Sequence, residues 1–193
     1  MTGKERILQA ALRLFAEKGY TETRTSEIAR QAEISEPMIF KHFQSKQNLL
    51  KLLVVQSHEL HDAMVRRVEA ETKGDLETIE GLVVGVIDLA TKNRHHYLLM
   101  ARVCAFRRND PELPCGRLAE ESSDLLLASL QRAIQNGVDQ DRFFSLPVDA
   151  TAKAFMSMAY GAIRLQVLGK VKNNELSEAL IQCIRARLLP PAG

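Results

Sequence analysis

The sequence predicts an all-α fold of about nine helices, and three observations carry this prediction. Apolar residues recur three and four positions apart through most of the 193 residues, which is the spacing of one buried helix face. The strict alternation that is typical of a half-buried strand is rare. Glycine, proline or asparagine separates one apolar stripe from the next, as expected of helices joined by short turns.

The first two helices are predicted from apolar stripes near the N-terminus. The first stripe consists of Ile7, Leu8, Ala11, Leu12, Leu14 and Phe15. Gly19 follows in "EKGY", where a glycine can adopt the backbone conformation that closes a helix. A short second helix, "SEIARQA", comes next, with Thr25 as its predicted N-cap. The inward face of this second helix consists of Ile28, Ala29 and Ala32.

The three-residue turn "EIS" leads into a third short helix, "EPMIFKHF". Ser35 is its predicted N-cap, which places Pro37 in the first turn, where a missing N–H costs little. Apolar residues of this helix are expected to pack against the first helix. Pro37, Met38 and Lys41 then share the outer face because of their three- and four-residue spacing. Two short helices that are joined by such a turn and rest on a longer helix form a DNA-reading helix-turn-helix.

The remainder of the chain is predicted to be helical throughout. Ser45 caps a long fourth helix, which Gly74 and Asp75 end. Five further helices are predicted at about 76–92, 95–108, 116–136, 147–168 and 174–189.

Composition and charge favour a cytoplasmic globular protein. Hydrophobic residues make up 46% of the chain and charged residues 26%. We find no membrane span and no secretory signal. Cys104, Cys115 and Cys183 are far apart and are interpreted as reduced thiols. Residues 1–51 carry a net charge of +3 and the remainder −1, which is weak support for a nucleic-acid partner.

No motif for catalysis or metal binding stands out. The chain lacks a glycine-rich phosphate loop, a nucleophile elbow, an HExxH sequence and a paired-carboxylate motif, so no catalytic residue is predicted. His58 and His61 lie three positions apart, but two ligands at one locus do not make a metal site. We therefore expect no metal and no cofactor. Two alternatives to DNA binding stay open at this point, an all-helical enzyme with a scattered site and a helical adaptor whose head binds protein.

Residues 19–50, "GYTETRTSEIARQAEISEPMIFKHFQSKQNLL", resemble the DNA-binding signature of the TetR family of bacterial transcription regulators. The rest of the chain agrees with that family in length and helical character only. The resemblance implies a helix-turn-helix DNA-binding domain at 1–46 and a helical ligand-binding and dimerisation domain at 47–193. It also implies a homodimeric repressor that a small-molecule inducer, at least partly apolar, releases from double-stranded operator DNA of palindromic sequence.

The resemblance further implies DNA contacts for nine residues. Thr25 and Lys46 are expected to meet phosphates, the latter helped by the dipole of the fourth helix. The residues expected in or along the major groove are Ser35, Glu36, Pro37, Met38 and Lys41. Phe40 and His42 are expected against the DNA backbone. Two positions depart from the family pattern, namely Glu33, where a turn glycine is common, and Phe40, where a tyrosine is common.

The chemistry of the third helix leaves several roles open. Lys41 can contact guanine O6 and N7 or hold a phosphate, and Met38 can pack on a thymine methyl group. Glu36 can accept from cytosine N4, discriminate by repulsion, or merely stabilise the N-terminus of its helix.

The last two helices are predicted to form the dimer interface, because they are rich in small residues that allow close approach. The interface candidates are Phe155, Met158, Ala159, Ala162, Ile163, Gln166, Leu176, Leu180, Ile184 and Leu188. The alternative is that both stripes line the core of one protomer. Candidates for an inducer pocket are Met64, His96, Tyr97, Met100, Arg102, Val103, Cys104, Leu126, Met156 and Tyr160, most of which could equally be ordinary core.

Overall fold

The computed structural model describes residues 1–104, 114–167, 169–171 and 175–189, with the backbone alone at positions 103, 104, 115 and 175. These residues form α1 (Gly3–Lys18), α2 (Thr25–Gln31), α3 (Glu36–Phe43), α4 (Lys46–Glu71), α5 (Asp75–Lys92), α6 (Arg94–Leu99), a π-helical segment (Met100–Cys104), α7 (Cys115–Asp139), α8 (Val148–Val167) and α9 (Glu175–Leu188). No strand lies among them. Within those ranges, none of the helices has the length and apolarity that a membrane span requires. The predicted all-α fold of about nine helices is confirmed.

The sixth helix differs most from its prediction. The α-helical backbone of α6 ends at Leu99 and continues as the π-helical segment to Cys104. Residues 105–108 of the predicted helix lie outside the described residues, as do residues 168 and 174 at the ends of two others.

Both ends of α1 are capped. Thr2 Oγ1 accepts a hydrogen bond from the Glu5 N–H at 3.2 Å, and Glu5 Oε2 accepts one from the Thr2 N–H at 2.9 Å. This reciprocal pair satisfies two N–H groups at the start of the helix. At the other end, Gly19 has a φ of 96° and donates its N–H to Phe15 O. The predicted end of the first helix at Gly19 is confirmed.

The turn between α2 and α3 is a Schellman motif. The Glu33 N–H donates to Arg30 O at 3.2 Å, and the Ile34 N–H donates to Ala29 O at 3.1 Å. Such a motif requires a left-handed residue after the helix, and Glu33 takes that place with a φ of 54°. Glycine would adopt this conformation without steric cost. Glu33 therefore differs from the common turn glycine in its side chain, while the backbone of the turn keeps the conformation that glycine would adopt.

The chain packs as two compact units. The first comprises Met1–Glu59 and Asn93–Glu121, and the second comprises Leu60–Lys92 and Ser122–Gly193. The core of the first unit includes Ile7, Phe15, Ile28, Ile39, Phe43, Leu49, Leu50, Leu53, Leu99 and Leu118. The first of these units continues past residue 46 to Glu59, within α4. This division by packing therefore differs from the functional boundary after residue 46, which stays a prediction.

The apolar stripes predicted for the dimer interface lie mostly in the core of one protomer. The residues that are at most 9% exposed within a single chain are Phe155, Ala159, Ala162, Ile163, Leu180, Ile184 and Leu188. Met158, Gln166 and Leu176 are half-buried, and Gln166 Oε1 accepts a hydrogen bond from Thr91. The interface prediction is wrong for the seven buried residues, because α5, α8 and α9 pack together and cover them.

Candidate DNA-binding surface

The helix α3 is held from behind by apolar side chains. Ile39 is fully buried and Phe43 is 3% exposed, in the same core as Ile7 and Phe15. The backbone of Ser35 at the N-cap is extended, and Pro37 is the second residue of the helix. Pro37 therefore helps to begin α3, as predicted. The four-residue spacing of Ile39 and Phe43 fixes which side of the helix faces inward.

The other side of α3 is open to solvent. Ser35, Pro37, Lys41 and His42 are exposed, and Met38 is half-buried. Phe40 is 47% exposed, which is unusual for an aromatic residue that lies next to a core. Among the described residues, no carboxylate forms an ion pair with Lys41. This surface combines a cation, a thioether, an aromatic ring and an imidazole.

Glu36 has a polar partner inside the protein. Thr25 Oγ1 donates a hydrogen bond to Glu36 Oε1 at 2.5 Å. Thr25 is the first residue of α2 and Glu36 is the first residue of α3, so the bond joins the starts of the two helices. The prediction that Thr25 is the N-cap of α2 is wrong by one residue, because Arg24 occupies that position.

The structure gives Lys46 a further role inside the protein. Its Nζ donates to Tyr20 O and to Thr23 O, both at 2.9 Å. The same Nζ lies 4.3 Å from the centroid of the Tyr20 ring. The ammonium group thus holds the loop between α1 and α2, and a phosphate contact by Lys46 stays a prediction. Sequence reasoning missed this role because the partners lie 26 and 23 residues away along the chain.

An ion pair links α1 to α2 next to this loop. Lys18 Nζ donates to Glu27 Oε1 at 2.6 Å. The pKa of Glu27 lies below its usual value, first because of the Lys18 hydrogen bond and second because of the Arg24 backbone N–H. The pair helps to orient α2, against which α3 packs.

The structure does not bring the ten predicted pocket residues together in one unit. The four in the first unit are His96, Tyr97, Met100 and Arg102, and the four in the second are Met64, Leu126, Met156 and Tyr160. The side chains of Val103 and Cys104 lie outside the described part. The prediction is wrong for Arg102, whose exposed guanidinium donates to Ala16 O at 3.2 Å and Glu17 O at 2.9 Å, at the end of α1.

The histidines of the first unit have separate partners. His96 Nδ1 lies 2.8 Å from Ser57 Oγ, and burial, followed by the charge of His95, lowers the pKa of His96. His95 Nε2 lies 3.5 Å from Glu17 Oε1, and His58 Nε2 lies 3.8 Å from Glu121 Oε2. In the part of the chain that the structure describes, no group of three His, Cys, Asp or Glu residues could hold a metal ion.

The head of this chain matches a known family. Residues 7–53 match the family model described as bacterial regulatory proteins, tetR family. Residues 7–53 are therefore a TetR-family head. The transcriptional regulator YvkB of Bacillus subtilis is 39% identical over 72 residues, which are 37% of this chain and 38% of YvkB. TtgR of Pseudomonas putida is 33% identical over 72 residues, which are 37% of this chain and 34% of TtgR.

The matched segments span between 25% and 38% of the first curated relatives. Solved TetR-family structures nevertheless share the fold of the whole chain. PfmR from Thermus thermophilus has a TM-score of 0.78 at 21% identity, with 100% of both chains covered.

Two further regulators of this fold were solved with ligands. A regulator from Saccharomonospora viridis in complex with choline has a TM-score of 0.79 at 21% identity, with 97% of both chains covered. FadR from Bacillus subtilis in complex with stearoyl-CoA has a TM-score of 0.69 at 16% identity, with 94% of this chain and 97% of FadR covered. The TetR family and these relatives are regulators and not enzymes, so the enzyme alternative is dropped.

Proposed function

We propose that the protein is a homodimeric, ligand-responsive repressor that a small molecule releases from a two-fold symmetric operator. The outer face of α3 carries this proposal, because Pro37, Lys41 and His42 are exposed while Ile39 and Phe43 are buried behind them. A helix that is fixed in this way can enter the major groove and present a few side chains to base edges. The protein would then act in the bacterial cytoplasm, where its DNA partner lies.

Base readout is assigned to the middle of α3. Lys41 would donate to guanine O6 and N7, and Met38 would pack on a thymine methyl group. Ser35, Pro37, Phe40 and His42 would lie along the groove and its flanking backbone, and Thr25 would face a phosphate at the start of α2. Phosphate contacts supply affinity and make it strongly dependent on salt, whereas base contacts supply the choice of sequence.

Dimerisation is assigned to the exposed faces of α8 and α9, in place of the buried stripes. Two recognition helices must lie about 34–36 Å apart to read a two-fold symmetric operator, so a dimer is required. The exposed residues with small side chains are Ala150, Ala154, Ser157 and Gly161 on α8 and Ala179, Cys183 and Ala186 on α9. A methyl group added at Gly161 would meet no atom within 4 Å in a single chain, which leaves room for a close partner.

The inducer is assigned to the second unit, to Met64, Leu126, Met156 and Tyr160. Burial raises the pKa of the Tyr160 phenol, and a hydrogen bond with Ser123 lowers it in part. A buried, neutral phenol suits a ligand with one polar group on an apolar body. Stearoyl-CoA, which occupies one regulator of this fold, joins an apolar chain to a polar head, whereas choline, which occupies another, is a small cation. By linkage, inducer and operator weaken each other's binding by the same factor.

Selection from randomised duplexes tests the DNA-binding part of the proposal. Duplexes of about 30 bp accommodate two half-sites one helical turn apart. The selected sequence should bind at least about 10³-fold more tightly than a scrambled one, and its affinity should fall steeply with salt. Lys41→Ala should weaken binding by about tenfold or more.

Lys92→Ala is the matched control, since Lys92 is an exposed lysine on α5, and it should change nothing. If the head instead binds protein, as the adaptor alternative holds, the wild type will select no sequence and bind duplexes without regard to salt.

A further inference from the structure

We propose that Thr25 and Glu36 act as one unit in choosing the operator. Glu36 holds the Thr25 hydroxyl until a base amino group draws the carboxylate away, and Thr25 then donates to a phosphate. A correct base at one position thereby creates a backbone contact at another. This inference rests on the proposed DNA-binding function and adds a residue that sets specificity without touching a base.

The hydrogen-bond chemistry of the pair makes the two contacts of Thr25 mutually exclusive. Thr25 Oγ1 lies 2.5 Å from Glu36 Oε1. A hydroxyl group has one hydrogen to donate, and an ionised carboxylate only accepts. Phosphate oxygens also only accept. Thr25 therefore cannot donate to a phosphate while it donates to Glu36.

The places of the two residues in the helix-turn-helix give each a different target on DNA. The first helix of this motif crosses the DNA backbone, while the N-terminal residues of the recognition helix contact base edges. Thr25 begins α2 and Glu36 begins α3. The hydrogen bond consequently links a group that faces phosphate to a group that faces bases.

The bases can be divided by what they offer the Glu36 carboxylate. In the major groove, cytosine N4 and adenine N6 carry amino donors, whereas guanine O6 and N7 and thymine O4 only accept. Opposite an amino donor, the carboxylate gains a new partner when it leaves Thr25. Opposite an acceptor it gains none and stays with Thr25, so the phosphate contact is not made and the second carboxylate oxygen faces the base without a donor.

Repulsion between Glu36 and the phosphates is the competing explanation, and it makes a different prediction. Repulsion depends on the charge of Glu36 and not on the Thr25 hydroxyl. Under repulsion alone, removing the hydroxyl would weaken binding to every sequence equally. Under the coupled mechanism, Thr25→Val weakens the base preference opposite Glu36, although Thr25 contacts no base.

Selection from randomised duplexes with the full-length variants tests this difference. The wild type should prefer cytosine or adenine at one position of each half-site. Both Glu36→Ala and Thr25→Val should reduce that preference by at least about threefold, within the range that one base contact provides. Thr21→Val and Glu22→Ala make the same chemical changes at exposed positions in the loop before α2, and they should leave the selected motif unchanged. If Thr25→Val keeps the wild-type preference, the proposal is overturned.

A double-mutant cycle on scrambled duplex gives a second test. Glu36→Ala should raise affinity for this duplex about three- to tenfold, because it removes an anion and frees the Thr25 hydroxyl for phosphate. The gain should be at least about twofold smaller in a Thr25→Val background, and equal gains in both backgrounds would overturn the coupling.

Glu36→Gln replaces Glu36→Ala if thermal melting shows that the latter does not fold, and it should give a smaller gain in the same direction. Failure of the coupling is distinguishable from failure of the proposed function. In the latter case the wild type itself would select no motif.

Discussion

Replacing Lys46 by methionine should destabilise the head of the protein by about 2 kcal/mol. Methionine keeps an apolar stem of similar length but cannot donate to the carbonyl groups of Tyr20 and Thr23, which the lysine Nζ reaches at 2.9 Å. Hydrogen bonds from a charged donor contribute about 1.5–3 kcal/mol, and a cation near an exposed ring contributes about 0.5–1 kcal/mol. The figure of about 2 kcal/mol is below their sum because Lys46 is only half-buried, so water can replace part of what is lost.

Urea unfolding followed by far-ultraviolet circular dichroism measures this loss. All variants are compared at one protein concentration, because the stability of a dimer depends on concentration. With a denaturant slope of about 2 kcal/mol/M, the midpoint should fall by about 1 M. Lys51→Met on the same helix is the matched control and should stay within about 0.5 kcal/mol of the wild type. An unchanged midpoint for Lys46→Met, together with a loss of about one phosphate from the salt slope of DNA binding, would refute the reasoning.

Four further predictions follow from the structure. Glu33→Gly should raise the melting temperature and the free energy of unfolding by about 0.5–1 kcal/mol, because it relieves the left-handed strain, and a lower melting temperature would contradict this. Gly137→Ala should lower the free energy of unfolding in urea by about 2–4 kcal/mol, since the new methyl carbon would overlap the Phe143 ring. This loss should shrink when Phe143→Ala is added. If the losses of the two single variants simply add in the double variant, the clash is refuted. Gly161→Leu should dissociate the proposed dimer in sedimentation without loss of helix, whereas a dimer of wild-type affinity would put the interface elsewhere. Burial lowers the pKa of His96 from the ordinary 6.5, so the neutral imidazole stabilises the fold above that pH and this stabilisation is lost as pH falls. The free energy of unfolding of His96→Gln should therefore fall less than that of the wild type between about pH 7 and 5. Equal losses in the two proteins would contradict a buried, neutral His96.

Features with local causes could be predicted from the sequence. Gly19 ends α1 by accommodating a positive φ, and Pro37 begins α3 because its missing N–H falls in the first turn. Ser45 caps α4 through a hydrogen bond from the Asn48 N–H to its Oγ, at 3.0 Å. Each of these effects acts within a few residues along the chain, so residue type and spacing are sufficient to predict it.

Features that depend on distant partners could not be predicted in this way. The apolar stripes of α8 and α9 have the same period whether their own protomer or a second one covers them. The direction of the Lys46 side chain depends on carbonyl groups of the loop between α1 and α2. The bond between Thr25 and Glu36 joins residues that are 11 positions apart, and it became visible only once both helices were in place.

Hydroxyl-radical footprinting of the selected duplex tests most directly whether paired α3 helices read DNA. Two recognition helices related by a two-fold axis should protect two half-sites whose centres lie about 10–10.5 bp, or a multiple of that spacing, apart on one face of the duplex. Lys41→Ala should weaken both protected regions together. A single continuous protected region, or protection that ignores the sequence and survives Lys41→Ala, would contradict the assignment of α3 as the recognition helix.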